Sequence, residues 1–240
     1  MKKILFIVLL CGLACLSLDA QKPLRKPQKT TQSSNTGNGG KNNSAARPSK
    51  QPAKSGSSAP RIVATGSIKG HDYVDLGLSV KWATCNVGAT SPADYGDYFA
   101  WGETSPKSEY TVENSVTYKK NMGDIAGDSR YDAARANWGG SWRMPTSAEI
   151  NELESKCKTR WITRKGYLFT GPNGKSIFLP AAGWRSGSSQ SGVGDCGYYW
   201  TPNPNESDSE CAYSRTFCDD GIVSGWDRRS NGRTVRPVSE

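Results

Sequence analysis

The 240 residues include only one histidine, three methionines and five phenylalanines. With one histidine there is no multi-histidine metal centre, and any Ser-His-Asp or Cys-His machinery would have to use His71. His71 stands at the start of the aromatic-rich region, and nothing in the sequence sets it beside a nucleophile. There is no CxxC pair, so zinc-type spacing is missing as well. Long apolar runs are equally scarce. The longest is Ile4–Leu13, too short for a spanning helix, which needs about 20 residues. Residues 21–65 hold neither an acidic nor an aromatic side chain. No metal, cofactor or transmembrane segment is therefore expected.

What is present divides into three parts. Lys2 and Lys3 precede the apolar run, and Leu18-Asp19-Ala20 ends in a small residue, so residues 1–20 read as a signal peptide cleaved after Ala20. A lipid anchor at Cys15 is the rival reading. It fits less well, because Leu13 falls one place too late for the lipobox. Residues 21–65 are Lys, Arg, Ser, Asn, Gly, Pro and Gln with very few large apolar residues, too few to offset the entropy of ordering. They read as a disordered basic linker. Nine of the 31 Lys and Arg lie there, and the leader holds two Lys and one Asp. That leaves 20 basic and 21 acidic residues for 66–240, so the basic character belongs to the tail. A nucleic-acid-binding domain keeps its positive charge on a folded face, and this chain does not. The linker could adhere to anionic surfaces or act only as a solvated spacer.

Residues 66–240 form the third part. All eight Trp and all ten Tyr fall between Tyr73 and Trp226. Gly and Asn punctuate short β-prone runs: Tyr73–Trp82, Tyr98–Trp101, Tyr167–Pro180 with a Pro172-Asn173-Gly174 turn, Tyr198–Trp200 against Ala212–Phe217, and Gly221–Ser224 with Gly232–Val238 at the end. Residues Tyr131–Trp138, closed by Gly139-Gly140, predict one short helix. Thr146 and Glu149 stand three apart, the spacing of a capping box, and Ile150, Leu153 and Cys157 follow as one apolar stripe on a second helix. Two helices set in antiparallel strands, with the C-terminal strand returning to the N-terminal one, predict an α+β domain.

Several of these stretches resemble one family in order: YVDLGLSVKWATCNVGA, GDYFAWGE, WRMPTSAEI, GPNGKSIFLPAAGWR, GYYW and a terminal VRPV. The chain is similar to the Fibrobacter succinogenes major paralogous domain family, over nearly all of residues 70–240. The resemblance implies a C-type-lectin-like fold, related to that of formylglycine-generating enzymes, in an exported bacterial protein. No stretch matches the catalytic pattern of those enzymes, so their activity is not carried over. Cys85 and Cys157 both sit in family-like context, which implies a Cys85–Cys157 disulfide and leaves the pairing of Cys196, Cys211 and Cys218 open.

Two loops could carry function. Asn203–Glu210 holds two amides and three carboxylates, the oxygen-rich composition that calcium favours. Its residue order does not match the sugar-binding lectin motifs, and a solvated hairpin loop is the preferred reading. Asp219–Arg233 is polar and turn-forming. In retroelement-diversified proteins that share the implied fold, the corresponding stretch displays variable ligand contacts just before a similar VRPV end. Trp and Arg also dominate binding hot spots. Trp226, Asp227, Arg228, Arg229, Ser230 and Asn231 are thus the candidate ligand-binding residues. The alternative is that Trp226 packs onto the sheet and the arginines are ordinary solvated charges. The expected function is an exported, non-catalytic binding module for a protein or glycan at the bacterial cell surface. The alternative is a structural, envelope-associated protein with no small ligand.

Overall fold

A computed structural model describes residues 60–240. The leader, Cys15 and nearly all of the basic linker lie outside the described residues. The linker's expected end at residue 65 is too late: Ile62 already packs against the core, and Thr65 pairs with Tyr73 and Asp75.

The first sheet joins the two ends of the domain. It contains β1 (Gly66–Ile68), β2 (His71–Val74), β3 (Lys81–Ala83) and β12 (Val238–Ser239), in that order. The expected strand Tyr73–Trp82 is thus two strands. Asp75 accepts from the Gly77 amide, and Gly77 takes a φ of 74°, a left-handed conformation suited to glycine. Val238 lies opposite Trp82, so the C-terminal strand returns to the N-terminal one as the pattern predicted.

Both expected helices form. α1 (Ala133–Trp138) starts at Asp132, a fully buried N-cap. One Asp132 oxygen accepts from the Ala134 and Arg135 amides, and the other accepts from Gly127 and Met144. Gly139, at φ 65°, closes the helix. α2 (Ser147–Lys156) has both halves of the capping box: the Glu149 amide donates to Thr146 Oγ1 at 3.3 Å and the Thr146 amide donates to Glu149 Oε2 at 2.8 Å. Arg143 grips the Glu149 carboxylate with both terminal nitrogens, at 2.6 and 2.8 Å, and reaches Glu240 as well. Ile150 and Leu153 face the main core beside Tyr199 and Phe217, and each buried side chain contributes about 2 kcal/mol.

Three further sheets complete the domain. One contains β4 (Lys158–Ile162), β5 (Gly166–Thr170) and β6 (Ser176–Pro180). The last two form the expected hairpin, with Leu168 opposite Phe178 and Gly174 at φ 79° in the turn. A small hairpin pairs β7 (Trp184–Ser186) with β8 (Ser189–Ser191). The longest strands are β9 (Cys196–Pro204), β10 (Cys211–Cys218) and β11 (Gly221–Arg228), with β10 in the middle. The architecture is α+β, mostly antiparallel sheet with two helices.

Two expected strands are barely strands. Tyr98–Trp101 and residues 232–237 meet through the isolated Phe99–Arg233 bridge, and only Val238 and Ser239 form a strand at the end. These segments run through the interior, and their carbonyls take donors from scattered places in place of a ladder: Phe99 O from the Arg233 amide and Trp200 Nε1, Tyr98 O from the Tyr110 hydroxyl, Trp101 O from Thr117, and Val235 O from the Val87 amide. Conversely, the expected strand at Gly221–Ser224 forms and runs on to Arg228, through residues read as polar and turn-forming. Ile222, Val223 and Trp226 are strand formers and outweigh the glycine at 225.

Candidate functional site

A cleft of about 600 Å³ opens between the start of α2, residues 122–124 and the β9–β11 sheet. The β10–β11 register sets Arg215 opposite Ser224 and Tyr213 opposite Trp226, so these four side chains share the sheet face that looks toward α2. Tyr213 lines the cleft, and its ring meets Trp226 edge-on at 6.4 Å. Both rings are exposed: Trp226 keeps half of its surface in solvent. An exposed pair of large aromatics beside a cleft is a ready contact surface.

The polar wall is held in place. Arg215 is buried, donates from Nη2 to Asn151 Oδ1 of α2, and brings Nε within 3.1 Å of Glu154 Oε1. That last contact is ionic and lacks hydrogen-bond alignment, since both atoms are otherwise unpartnered. Burial pushes the Glu154 carboxyl pKa up, and Arg215 pulls it back only in part. Across the cleft, Asn203 donates to Asp124 at 2.8 Å, and Asp124 also accepts from the Ala126 amide. Asn151 and Asn203 therefore present fixed amides, and the lining Glu206 has no partner among the described residues. Such a site offers directional donors and acceptors beside an apolar platform, the equipment for binding a polar ligand. His71 does not line it. The imidazole stacks flat on Trp138 at 3.9 Å, and burial lowers its pKa.

The structure splits the six residues expected to bind ligand. Trp226 is exposed, while Asp227 and Arg228 are half-buried. Arg229, Ser230 and Asn231 are buried, which corrects the expectation that they face a ligand. Arg229 donates from Nε to the Cys211 carbonyl and from Nη1 to the carbonyls of Thr117 and Lys120, with Trp101 stacked 4.6 Å away. Asp227 accepts from Asn231 and Arg233, and Arg233 lies over Tyr198 and Trp200. Arg236 is fully buried and donates to the carbonyls of Ala83, Thr84 and Phe178 and to Asn86 Oδ1. Among the described residues neither Arg229 nor Arg236 has a carboxylate partner. Carbonyl oxygens from strand positions and loops alike solvate each cation. The sequence carries no signal for this, because Arg233 and Arg236 fall in Gly232–Val238, which reads as a strand.

The cysteines pair differently from the expectation. Cys196 and Cys218 lie directly opposite on β9 and β10, Cα atoms 4.4 Å apart, and form a disulfide. Cys85 and Cys157 are free, which corrects the expected bridge between them. Cys85 sits just after β3, and Cys157 caps the end of α2 and packs its sulfur side against the core. Burial raises the Cys157 thiol pKa to about 11. Cys211 is buried and also a thiol. In the 203–210 loop, Asp208 accepts from the Glu210 amide, and the Glu210 carboxylate takes the Tyr118 hydroxyl and Lys119. Among the described residues no three acidic, His or Cys side chains gather as a metal site.

No protein-family model, curated protein or solved structure matches the chain.

Proposed function

We propose that the chain is an exported, non-catalytic binding module with a C-type-lectin-like domain, similar to the Fibrobacter succinogenes major paralogous domains, that takes a protein or glycan ligand at the bacterial cell surface. The observation that carries this reading is the cleft beside α2. Tyr213 and Trp226 give it an exposed aromatic rim, and Asn151, Asn203 and Arg215 give it a polar wall fixed by its own hydrogen bonds. The lectin-like assignment is supported by the meeting of the chain's two ends in one sheet and by the scaffold role of Trp142–Glu149. Trp142 donates to the Ile68 carbonyl, Arg143 clamps Glu149, and Thr146 caps α2.

The test is a glycan and surface-protein array probed with the mature protein, followed by Tyr213→Ala. A binder in the micromolar range, lost in Tyr213→Ala with the melting temperature kept, agrees with the reading. Absence of any binder, or binding indifferent to Tyr213, contradicts it. A structural, envelope-associated role is the second reading, favoured by the open edge of β11. Localisation of a tail-deleted protein separates the two. Release with ligand binding intact supports the binding module, and loss of assembly with no ligand lost supports the structural role.

A further inference from the structure

Among the described residues β11 is an edge strand, with β10 as its one neighbour. The ladder fixes which of its backbone groups are used. The Arg229 amide donates to the Glu210 carbonyl, and Tyr213 O points the other way, to Thr201 on β9. Pairs then alternate along the register, so Gly221, Val223, Gly225 and Asp227 bond to β10 while Ile222, Ser224 and Trp226 aim their N–H and C=O groups outward. Among the described residues those three have no other backbone or side-chain partner for these groups. The edge is only lightly blunted, with its two charges, Asp227 and Arg228, together at one end. It carries no Pro or Lys, and Val223 is 60% and Trp226 50% exposed.

We propose that this edge pairs with the same edge of a second copy of the chain, joining two three-stranded sheets across a two-fold axis at Ser224. The strand is self-complementary in that register. Ile222 meets Trp226 of the second copy on the α2 face, Val223 meets Gly225 on the other face, and the outward groups of residues 222, 224 and 226 face one another. Beyond the strand end, Asp220 lies opposite Arg228, so opposite charges meet twice. The two clefts then open on the same side of one six-stranded sheet. Their Tyr213 residues stand three strand spacings apart across the sheet and four residues apart along it, about 20 Å in all. A ligand with repeated epitopes would be held at two points, which raises avidity without any new contact. The contact is small, so it belongs with weak, concentration-dependent dimers.

Sedimentation velocity on the mature protein across the micromolar range tests this. The expected result is a reversible monomer–dimer equilibrium. Ser224→Pro removes an outward N–H that β10 does not use, so it should weaken the dimer at least ten-fold with the melting temperature kept. Asp220→Arg should weaken it too, and Asp220→Arg with Arg228→Asp should restore it. Should Ser224→Pro fail to fold, the charge pair decides alone. A wild-type protein that stays monomeric throughout, or a dimer indifferent to Asp220→Arg and its rescue, overturns the proposal. Either result leaves the array experiment on the cleft untouched.

Discussion

Residues 221–228 and 229–236 adjoin in sequence and draw on the same kinds of side chain, yet they do opposite things. The first is a regular strand whose Trp226 stands half in solvent. The second has almost no regular structure, and its arginines are buried. The difference lies in how each backbone is satisfied. A strand in a ladder meets its hydrogen-bonding needs with its own backbone, which frees its side chains for the surface. An irregular segment in the interior cannot, and its arginines reach across to carbonyls on neighbouring strands and loops. Arg229 and Arg236 supply up to five donors each from one planar fork. An arginine near a tryptophan is thus a partly exposed side chain on β11 and a buried structural clasp one residue later.

The sharpest way to break the comparison is Arg236→Met. It removes four donated hydrogen bonds and leaves three buried carbonyls and the Asn86 side chain short of a donor. Loss of roughly 3–5 kcal/mol in urea denaturation is expected, the scale for uncovering buried polar partners. A neutral result would mean that the carbonyls are satisfied elsewhere. Next in size is Cys196→Ser with Cys218→Ser. The bridge ties β9 to β10 across a separation of 22 residues, so its loss should cost roughly 2–4 kcal/mol by calorimetry while cleft binding persists.

Thr146→Ala should cost about 1 kcal/mol, the usual loss at an N-cap, again without changing ligand binding. The smallest effect is one of pH. Burial pushes the Glu149 carboxyl up, but the Arg143 guanidinium and the Thr146 amide outweigh it and hold the pKa below its ordinary value. A depressed carboxyl contributes stability above its unfolded pKa, about 4.3, and loses that contribution as pH falls through the folded value. Melting temperatures of wild type should therefore fall between about pH 5 and pH 3 more than those of Glu149→Gln. Parallel curves would contradict this.

Local chemistry was legible in the sequence wherever it acts within a few residues. The Thr146–Glu149 box, the Gly139 stop, the Pro172–Gly174 turn and the Tyr198–Phe217 hairpin all form as their residues indicate. What escaped depends on distant partners. The fates of Arg229 and Arg236 were settled by carbonyls of residues more than a hundred positions away in some cases, such as Thr117 and Ala83, and that of Arg233 by Ser214, Asp227 and the rings of Tyr198 and Trp200. The Cys196–Cys218 pair depended on the register of β9 against β10, which no spacing encodes. The cleft was hidden for the same reason: it gathers Asp124, Asn151, Asn203 and Tyr213 from four separate segments. The sequence left Trp226 open between the surface and the core, and it showed the start of its strand at Gly221–Ser224 without the extension to Arg228 that displays the ring.

The account rests on the boundary between Arg228 and Arg229, and one paired measurement tests it directly. Trp226→Ala and Arg229→Met are unfolded side by side in urea, at concentrations where the protein is monomeric. The expected result is a change within about 1 kcal/mol for Trp226→Ala, as for an exposed strand position, and a loss of about 3 kcal/mol or more for Arg229→Met. A loss of ~3–5 kcal/mol for Trp226→Ala, the size of a core cavity, together with a near-neutral Arg229→Met, would reverse the two roles and contradict the account.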